Sequence, residues 1–158
     1  MLKLYKKIDG VLHYWETWDD DEKTGIIHSG IVGERGVTRK IKSDFFTNFH
    51  KKVQKEVNGI CKDGFVEAEE EYTLLIEFIV DGMGSDADIE KRTRLQVRMN
   101  ETLGWTGLGY CDGGSIGSGT MEVCCFVVDF DIAKQTIIED LKNTEFENYI
   151  RIYDEDAE

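Results

Sequence analysis

Alternating apolar and polar residues at the start of the chain predict an antiparallel β-meander. Leu2 to Ile8 and Val11 to Trp18 are predicted strands, and the Asp9-Gly10 dipeptide between them is typical of a tight hairpin. Gly25 to Val32 and Val37 to Ile41 are the predicted third and fourth strands. We therefore expect four strands that pair in chain order.

A change of apolar spacing after the fourth strand predicts one helix, from Asp44 to Val57. Ser43 is the expected N-cap, and Asn58-Gly59 is the expected stop signal. The apolar stripe of this helix is expected to contain Phe46, Phe49, Val53 and Val57. Its opposite side carries lysines.

The remainder of the chain predicts the element order βαββαβ. The predicted elements are Thr73 to Val80, Asp86 to Leu103, Thr106 to Cys111, Thr120 to Phe130, Asp131 to Lys142 and Glu147 to Tyr153. Ser85 and Asp88 resemble a capping box at the first of the two helices. The order is typical of a ferredoxin-like domain, in which two helices cover one face of a four-stranded antiparallel sheet.

The predicted fold class is therefore α+β, with a β-rich domain over residues 1–70 and an acidic ferredoxin-like domain over residues 71–158. The acidic stretch from Glu67 to Glu71 lies between two apolar blocks and is the expected joint. The chain has 32 acidic and 19 basic residues, a net charge of -13. Division after Glu70 leaves 12 basic and 13 acidic residues in the first part, so most of the negative charge belongs to the second.

A basic segment from Arg35 to Lys62 lies inside the first part, with eight basic residues against Asp44 and Glu56. A positive surface is what nucleic acid requires, so this segment supports nucleic-acid binding as an alternative function. The residues expected to contact nucleic acid in that case are Arg35, Arg39, Lys40, Lys51, Lys52 and Lys55. The acidic second part is not expected to bind phosphates.

Catalytic and metal-binding chemistry is not expected. The four cysteines contain no C-x-x-C pair, and no histidines lie at zinc-ligand spacing. His28 and Ser29 with Glu16 suggest a nucleophilic set, but adjacent residues of a strand point to opposite faces. No apolar run reaches the length of a membrane span, and no secretory signal is recognised. We expect a cytoplasmic protein without a cofactor.

A partner surface is predicted on the second domain. Both faces of the strand around Cys124 to Val128 are apolar, and only one of them can face the helices. The glycine-rich segment from Gly104 to Gly119 holds seven of the 16 glycines and is predicted to be a long hairpin tip, with Gly107 and Gly109 allowing a bulge. The predicted partner-binding residues are Leu75, Ile79, Trp105, Tyr110, Asp112, Tyr149, Arg151 and Tyr153.

The segment Ser29-Gly30-Ile31-Val32-Gly33-Glu34-Arg35-Gly36 follows two aromatic-rich strands and precedes a lysine-rich helix, and residues 1–66 resemble a WGR domain. Gly64-Phe65 is similar to the closing Gly-Tyr of that family. Ser29 and Ile31 occupy the tryptophan and arginine positions of the signature. The resemblance implies nucleic-acid binding or communication with a neighbouring domain. The only residue roles that it implies are those of Gly30, Gly33 and Gly36, which are expected to form turns.

The function expected from these features is that of a non-catalytic, two-domain interaction protein that binds a protein partner. The negative charge suits an immunity or regulatory protein with a basic partner, because complementary charge speeds encounter. Nucleic-acid binding through the basic segment is the first alternative. A small-ligand regulatory site at Gly82 to Ser85 and the glycine-rich hairpin is the second.

Overall fold

The computed structural model describes residues 1–68 and 71–157, which contain two antiparallel sheets and three α-helices. The predicted α+β class is confirmed. The chain divides into two compact units, Met1–Glu69 and Glu70–Glu158. Glu69 and Glu70, two residues of the predicted acidic joint, lie outside the described residues.

The first unit begins with a four-stranded meander. Its strands are β1 (Leu2–Ile8), β2 (Val11–Asp21), β3 (Thr24–Ile31) and β4 (Val37–Lys42), and they pair in chain order. Asp9 and Gly10 both have positive φ, 49° and 82°, which is the conformation of a type I′ turn. The hairpin predicted from this dipeptide is confirmed, with Ile8 opposite Val11.

Helix α1 spans Phe49–Lys62, so its predicted start at Asp44 and its predicted stop at Asn58-Gly59 are both wrong. The side chain of Asn48 caps it by accepting a hydrogen bond from the amide of Lys51, at 3.0 Å. The side chain of Asp44 instead binds the amides of the next residues and folds them into a turn before the helix. Phe46 is therefore not part of the apolar stripe.

Helix α1 covers one face of the meander. The buried centre of that face is formed by Leu4, Trp15 and Ile27, against which pack Leu2, Ile41, Val57, Ile60 and Phe65. Gly25 in β3 lets the first residue of the helix lie directly on the sheet, since a Cβ there would come within 2.9 Å of the Phe49 ring. Phe49 is 1% exposed and joins the start of α1 to the sheet.

The second unit has the element order βαββαβ. Its elements are β5 (Tyr72–Ile79), α2 (Asp86–Trp105), β6 (Gly109–Gly117), β7 (Thr120–Val127), α3 (Phe130–Leu141) and β8 (Arg151–Asp154), followed by a short 3-10 helix, Glu155–Ala157. The sheet order is β6-β7-β5-β8, and all neighbours are antiparallel. The predicted capping box of Ser85 and Asp88 is confirmed. Helix α3 is capped by Asp129 and begins at Phe130, one residue before the predicted start at Asp131.

The glycine-rich segment is mostly strand, which corrects the predicted long hairpin tip. Strand β6 continues to Gly117, and the turn to β7 contains only Ser118 and Gly119, both at positive φ. The bulge lies between Cys111 and Gly114, beyond the expected position at Gly107 and Gly109. The last strand begins at Arg151, so it does not include Tyr149 as predicted.

The sheet of the second unit has one fully buried face. Along β7 the buried positions alternate with partly exposed ones, as expected for a strand covered on one side. The buried positions are Met121, Val123, Cys125 and Val127, and the helices contribute Leu95, Met99, Leu103, Ala133, Ile137 and Leu141. Arg98 of α2 also binds Asp140 of α3 through an ion pair of 2.7 Å. The opposite face therefore carries Glu122, Cys124 and Phe126 of β7.

Candidate functional site

The most exposed large apolar side chains of the first unit are adjacent. Phe45 is 99% exposed and Phe46 is 96% exposed, and their ring centroids are 6.2 Å apart. Single exposed apolar residues are common on protein surfaces, but an adjacent pair of solvated phenylalanines leaves a large apolar area in water. We name Ser43 to Asn48, which presents both rings, the phenylalanine turn.

The phenylalanine turn is held by hydrogen bonds on both sides of the two rings. One carboxylate oxygen of Asp44 accepts from the amides of Phe46 and Thr47, at 2.9 and 2.8 Å. The amide of Asp44 donates to the carbonyl of Thr47 at 2.9 Å. The hydroxyl of Ser43 accepts from the amide of Phe49 at 2.9 Å, which joins the turn to α1. The backbone under the rings is therefore ordered before any partner binds.

Lys52 of α1 also holds this turn. Its ammonium lies 2.6 Å from Asp44 and donates to the carbonyl of Lys42 at 2.9 Å. The hydrogen bond from Lys52, with those from two backbone amides, lowers the pKa of Asp44 to about 2. A groove of about 580 Å³ lies beside the turn and is lined by Asp21, Glu22, Lys23, Thr24, Lys42 and Ser43. The phenylalanine turn is thus an ordered apolar protrusion beside an open groove lined by charged side chains.

Three of the predicted nucleic-acid contacts are engaged by carboxylates. Arg39 binds Glu56 through two hydrogen bonds, and Lys40 lies 2.9 Å from Asp20. Lys52 is paired with Asp44, as described above. Part of the positive charge counted along the sequence is therefore balanced by acidic side chains brought close by the fold.

Lys51 and Lys55 differ from these, since both are exposed on α1 and neither forms a salt bridge within residues 1–68. They are four residues apart, so they lie on the same side of the helix. Arg35 is exposed in the segment before β4. Lys51 and Lys55 therefore add exposed positive charge to one side of α1.

A buried polar cluster lies on the meander face opposite α1. Glu16 and His28 face each other across β2 and β3, and the Nδ1 of His28 is 2.7 Å from the Oε1 of Glu16. The other ring nitrogen, Nε2, is 3.1 Å from the hydroxyl of Tyr14. Lys3 of β1 lies 3.4 Å from the second carboxylate oxygen of Glu16. The cluster explains how three polar side chains can be buried here, because each has a partner.

The buried cluster is not arranged for nucleophilic catalysis. His28 is 0% exposed and Tyr14 is 2% exposed, so solvent and substrate do not reach them. Burial raises the pKa of Tyr14 to about 12, and the charge of Glu16 acts in the same direction. Ser29 follows His28 in a strand and therefore points to the other face. The set of Glu16, His28 and Ser29 considered in the sequence is not brought together.

Two glycines of the segment from Ser29 to Gly36 pack against this cluster, which corrects their expected role as turn formers. A Cβ on Gly36 would lie 2.1 Å from the Tyr14 hydroxyl and 2.9 Å from the Nε2 of His28. A Cβ on Gly30 would lie 2.9 Å from the Cα of Gly36. Positive φ is found only at Gly33 among the three, at 92°. Gly30 and Gly36 are therefore required for close backbone approach.

The predicted partner surface of the second unit is more polar than its sequence suggests. Leu75 is only 7% exposed, so it is not the open apolar contact that was predicted. Arg151 pairs with the buried carboxylate of Glu77, and its guanidinium stacks 3.8 Å from the centre of the Tyr153 ring. The Tyr153 hydroxyl donates to Glu122 at 2.6 Å. Side chains of β5, β7 and β8 thus form a polar network over the middle of the sheet.

Two other predicted partner residues, Ile79 and Tyr110, lie on the same face of the sheet as this network. Tyr110 is 43% exposed and packs on Phe126, with ring centroids 5.4 Å apart. Ile79 is 71% exposed at the end of β5, and Trp105 is 37% exposed at the end of α2. The two remaining residues are Asp112, which is exposed, and Tyr149, which is partly buried outside any strand. The pairing of the strands therefore places Leu75, Ile79, Tyr110, Arg151 and Tyr153 on one face of the sheet, whereas Trp105 ends α2 and Tyr149 precedes β8.

The two loops of the predicted small-ligand site do meet, but through their own backbones. The amide of Val80 donates to the carbonyl of Gly119 at 3.0 Å, and the amide of Gly119 donates to the carbonyl of Gly82 at 2.7 Å. The side chain of Ile116 lies against Gly84, where a Cβ would come within 2.4 Å of it. These amides are already satisfied, and the space above Gly84 is filled. This arrangement is typical of a packed structural corner.

Phe45 and Phe46 were missed as functional candidates because the helix was predicted to begin too early. Asn48 is a good N-cap residue, and Asp44 followed by Phe-Phe-Thr is compatible with an Asx turn. Together these two signals could have excluded residues 44–47 from the helix. Phe46 would then not have been assigned to the core.

No metal cluster or membrane helix is present in the parts of the chain that the structure describes. Residues 1–68 and 71–157 contain no group of three or more His, Cys, Asp or Glu side chains placed to hold a metal ion. Within the same ranges, every helix is too short or too polar to cross a bilayer.

Comparison with known proteins identifies no relative. No family model, curated protein or solved structure matches the chain.

Proposed function

We propose that the chain is a non-catalytic interaction protein that binds a partner protein, with Phe45 and Phe46 as the main apolar anchors. The observation that carries this proposal is the near-complete exposure of both rings on an ordered turn. The first unit is proposed to be WGR-like, supported by its meander followed by one helix. The second is proposed to be ferredoxin-like, supported by the strand order β6-β7-β5-β8.

Aromatic anchors suit a protein interface. Interface energy is concentrated in a few large side chains that enter pockets on the partner. Complete burial of one phenylalanine contributes about 1.5 to 3 kcal/mol, so two rings together are expected to contribute about 3 to 6 kcal/mol. Loss of that contribution raises the dissociation constant of the complex by a factor on the order of 100 to 10,000.

The ordered backbone of the phenylalanine turn strengthens this argument. A flexible loop loses conformational entropy when it binds, and that loss reduces affinity. Here Asp44 and Ser43 already fix the turn through three hydrogen bonds to backbone amides. Lys51 and Lys55 add exposed positive charge on the adjacent helix. The surface therefore suits a partner with an apolar pocket that is bordered by acidic groups.

The acidic second unit is proposed to assist partner choice. Its 19 acidic and 7 basic residues over 71–158 favour a basic contact surface. The exposed Tyr110 on Phe126 provides an apolar contact on the same unit. A regulatory or immunity-type role agrees with such a binding surface.

Affinity capture from extract of the native cell tests the proposal. The bait proteins are the wild type, a Phe45→Ser and Phe46→Ser double variant, and Val37→Ser as the matched control. Val37 is 74% exposed in the same unit and lies outside the phenylalanine turn. A partner recovered with the wild type and with Val37→Ser, but not with the double variant, is the expected result. Recovery of the same proteins by all three baits contradicts the proposal.

Nucleic-acid binding is the second candidate function, favoured by exposed Lys51 and Lys55 on the helix that directly follows two exposed aromatic rings in the chain. Positive charge next to stackable rings is a common arrangement for single-stranded nucleic acid. Gel shift at low salt tests it with single and double strands. Binding that is lost in a Lys51→Glu and Lys55→Glu variant supports this candidate, and no shift at any concentration removes it.

A further inference from the structure

Cys111 of β6 and Cys125 of β7 face each other directly in the sheet. The amide of Val128 donates to the carbonyl of Leu108 at 3.0 Å, which sets the alternation of bonded and non-bonded pairs along these strands. Leu108 and Val128 are thus a hydrogen-bonded pair, and the two kinds of pair alternate along the strands. Cys111 and Cys125 lie three positions further along and therefore form a non-hydrogen-bonded pair. The amide of Cys111 agrees with this assignment, because it donates away from β7 to the side chain of Asn100, at 2.9 Å.

A non-hydrogen-bonded pair brings two cysteines within the reach of a disulfide bond. Directly opposed Cα atoms in such a pair lie about 4.5 Å apart, and disulfides span Cα separations of about 4.4 to 6.8 Å. Both cysteines lie on the helix-covered face, where they are 7% and 0% exposed. The bulge between Cys111 and Gly114 lies next to the pair, so β6 departs there from regular strand geometry.

The two thiols are chemically unequal. A hydrogen bond with Cys125 holds the pKa of Cys111 below its ordinary value, whereas that hydrogen bond and burial raise the pKa of Cys125. The thiolate is the nucleophilic form of cysteine, so Cys111 is the more reactive member. It is also the member with some solvent exposure.

We propose that Cys111 and Cys125 are a peroxide-sensitive thiol pair that forms a reversible disulfide across β6 and β7. The Cys111 thiolate attacks one oxygen of hydrogen peroxide, the O–O bond breaks, and Cys111 becomes a sulfenic acid as hydroxide leaves and takes up, as water, the proton that the Cys111 thiol lost on ionising. The Cys125 sulfur then attacks the Cys111 sulfur, the S–O bond breaks, and the departing hydroxide takes up the Cys125 proton as water. Each peroxide oxidises two thiols to one disulfide and is reduced to two waters.

The other two cysteines provide controls within the chain. Cys124 is next to Cys125 but lies on the opposite face of the same strand, and burial raises the pKa of its thiol. Cys61 is exposed at the end of α1 in the first unit. Neither is positioned in the sheet opposite a second cysteine.

The experiment treats the intact wild-type chain with hydrogen peroxide, blocks the remaining thiols and maps the peptides by mass spectrometry. The expected product has lost two hydrogen atoms, contains a Cys111–Cys125 link and recovers both thiols with dithiothreitol. The link should persist in Cys124→Ser and be absent from Cys111→Ser, while dimedone should label Cys111 in Cys125→Ser. Circular dichroism establishes that each variant is folded. The peptide map of the wild-type protein shows by itself whether Cys111 and Cys125 are linked.

Three results would overturn the proposal. One is a disulfide that involves Cys61 or Cys124 in place of the predicted pair. The second is oxidation of Cys111 to sulfinic acid without any link to Cys125. The third is full retention of all four thiols under conditions that oxidise an exposed cysteine of a reference protein.

Discussion

Substitution of Gly36 by alanine tests whether the buried polar cluster organises the first unit. The new Cβ would lie 2.1 Å from the Tyr14 hydroxyl and 2.5 Å from the carbonyl oxygen of Ser29. Gly36 does not have positive φ, so the added methyl group acts through crowding and not through backbone strain. Tyr14 must move, and its 3.1 Å contact with His28 is then lost.

The expected loss of stability follows from two contributions. Overpacking of a dense site costs about 1 to 3 kcal/mol. Disruption of the buried hydrogen bond between the Tyr14 hydroxyl and the His28 imidazole costs about 1 to 3 kcal/mol more. We therefore expect Gly36→Ala to lower the free energy of unfolding by about 2 to 6 kcal/mol, a large part of the roughly 5 to 15 kcal/mol that is typical of a domain.

Urea unfolding followed by tryptophan fluorescence measures this change. A Trp105→Phe background leaves Trp15 and Trp18 as the remaining tryptophans, so the signal reports on the first unit. Gly59→Ala is the matched control, because its added Cβ in helix α1 meets no atom within 4 Å apart from its chain neighbours and the helix's own backbone. That control should stabilise the unit by up to about 1 kcal/mol. A Gly36→Ala protein within about 0.5 kcal/mol of the parent would refute the packing role of this glycine.

Three further predictions concern other parts of the molecule. Ser85→Ala should remove the capping box of α2 and lower the free energy of unfolding by about 1 kcal/mol, measured by urea unfolding with Trp105 fluorescence. Because burial raises the pKa of Tyr14 to about 12, its contribution to stability is complete below pH 10 and is lost as pH rises towards 12, so Tyr14→Phe should flatten that part of a stability-pH curve. The Phe45→Ser and Phe46→Ser double variant should change the free energy of unfolding by less than about 0.5 kcal/mol, since both rings are exposed. A larger loss of stability in the same urea titration would mean that the rings pack against the rest of the fold.

Features determined by neighbouring residues could be predicted from the sequence. Asp9 and Gly10 define a hairpin because both residues accept positive φ, and Ser85 with Asp88 defines a capping box through contacts within one helical turn. The order of strands and helices follows from periodicity in the same way. Such features need no knowledge of distant parts of the chain.

Features that depend on distant contacts could not be predicted. Leu75 lies in an apolar strand, but Tyr153 and Arg151 belong to the neighbouring strand β8, and its low exposure is known only once these strands pair. Gly36 has the sequence context of a turn, and its packing role depends on Tyr14 two strands away. The start of α1 was misplaced because two capping signals compete, and the one at Asn48 prevails.

Site-specific photo-crosslinking tests the central proposal, partner binding through the phenylalanine turn, most directly. A photoreactive benzoylphenylalanine is placed at Phe46 in one protein and at Val37 in another, and both are irradiated in the native cell. The proposal predicts one discrete adduct with a partner protein from position 46 and none from position 37. No adduct at position 46, or the same adducts from both positions, would contradict it.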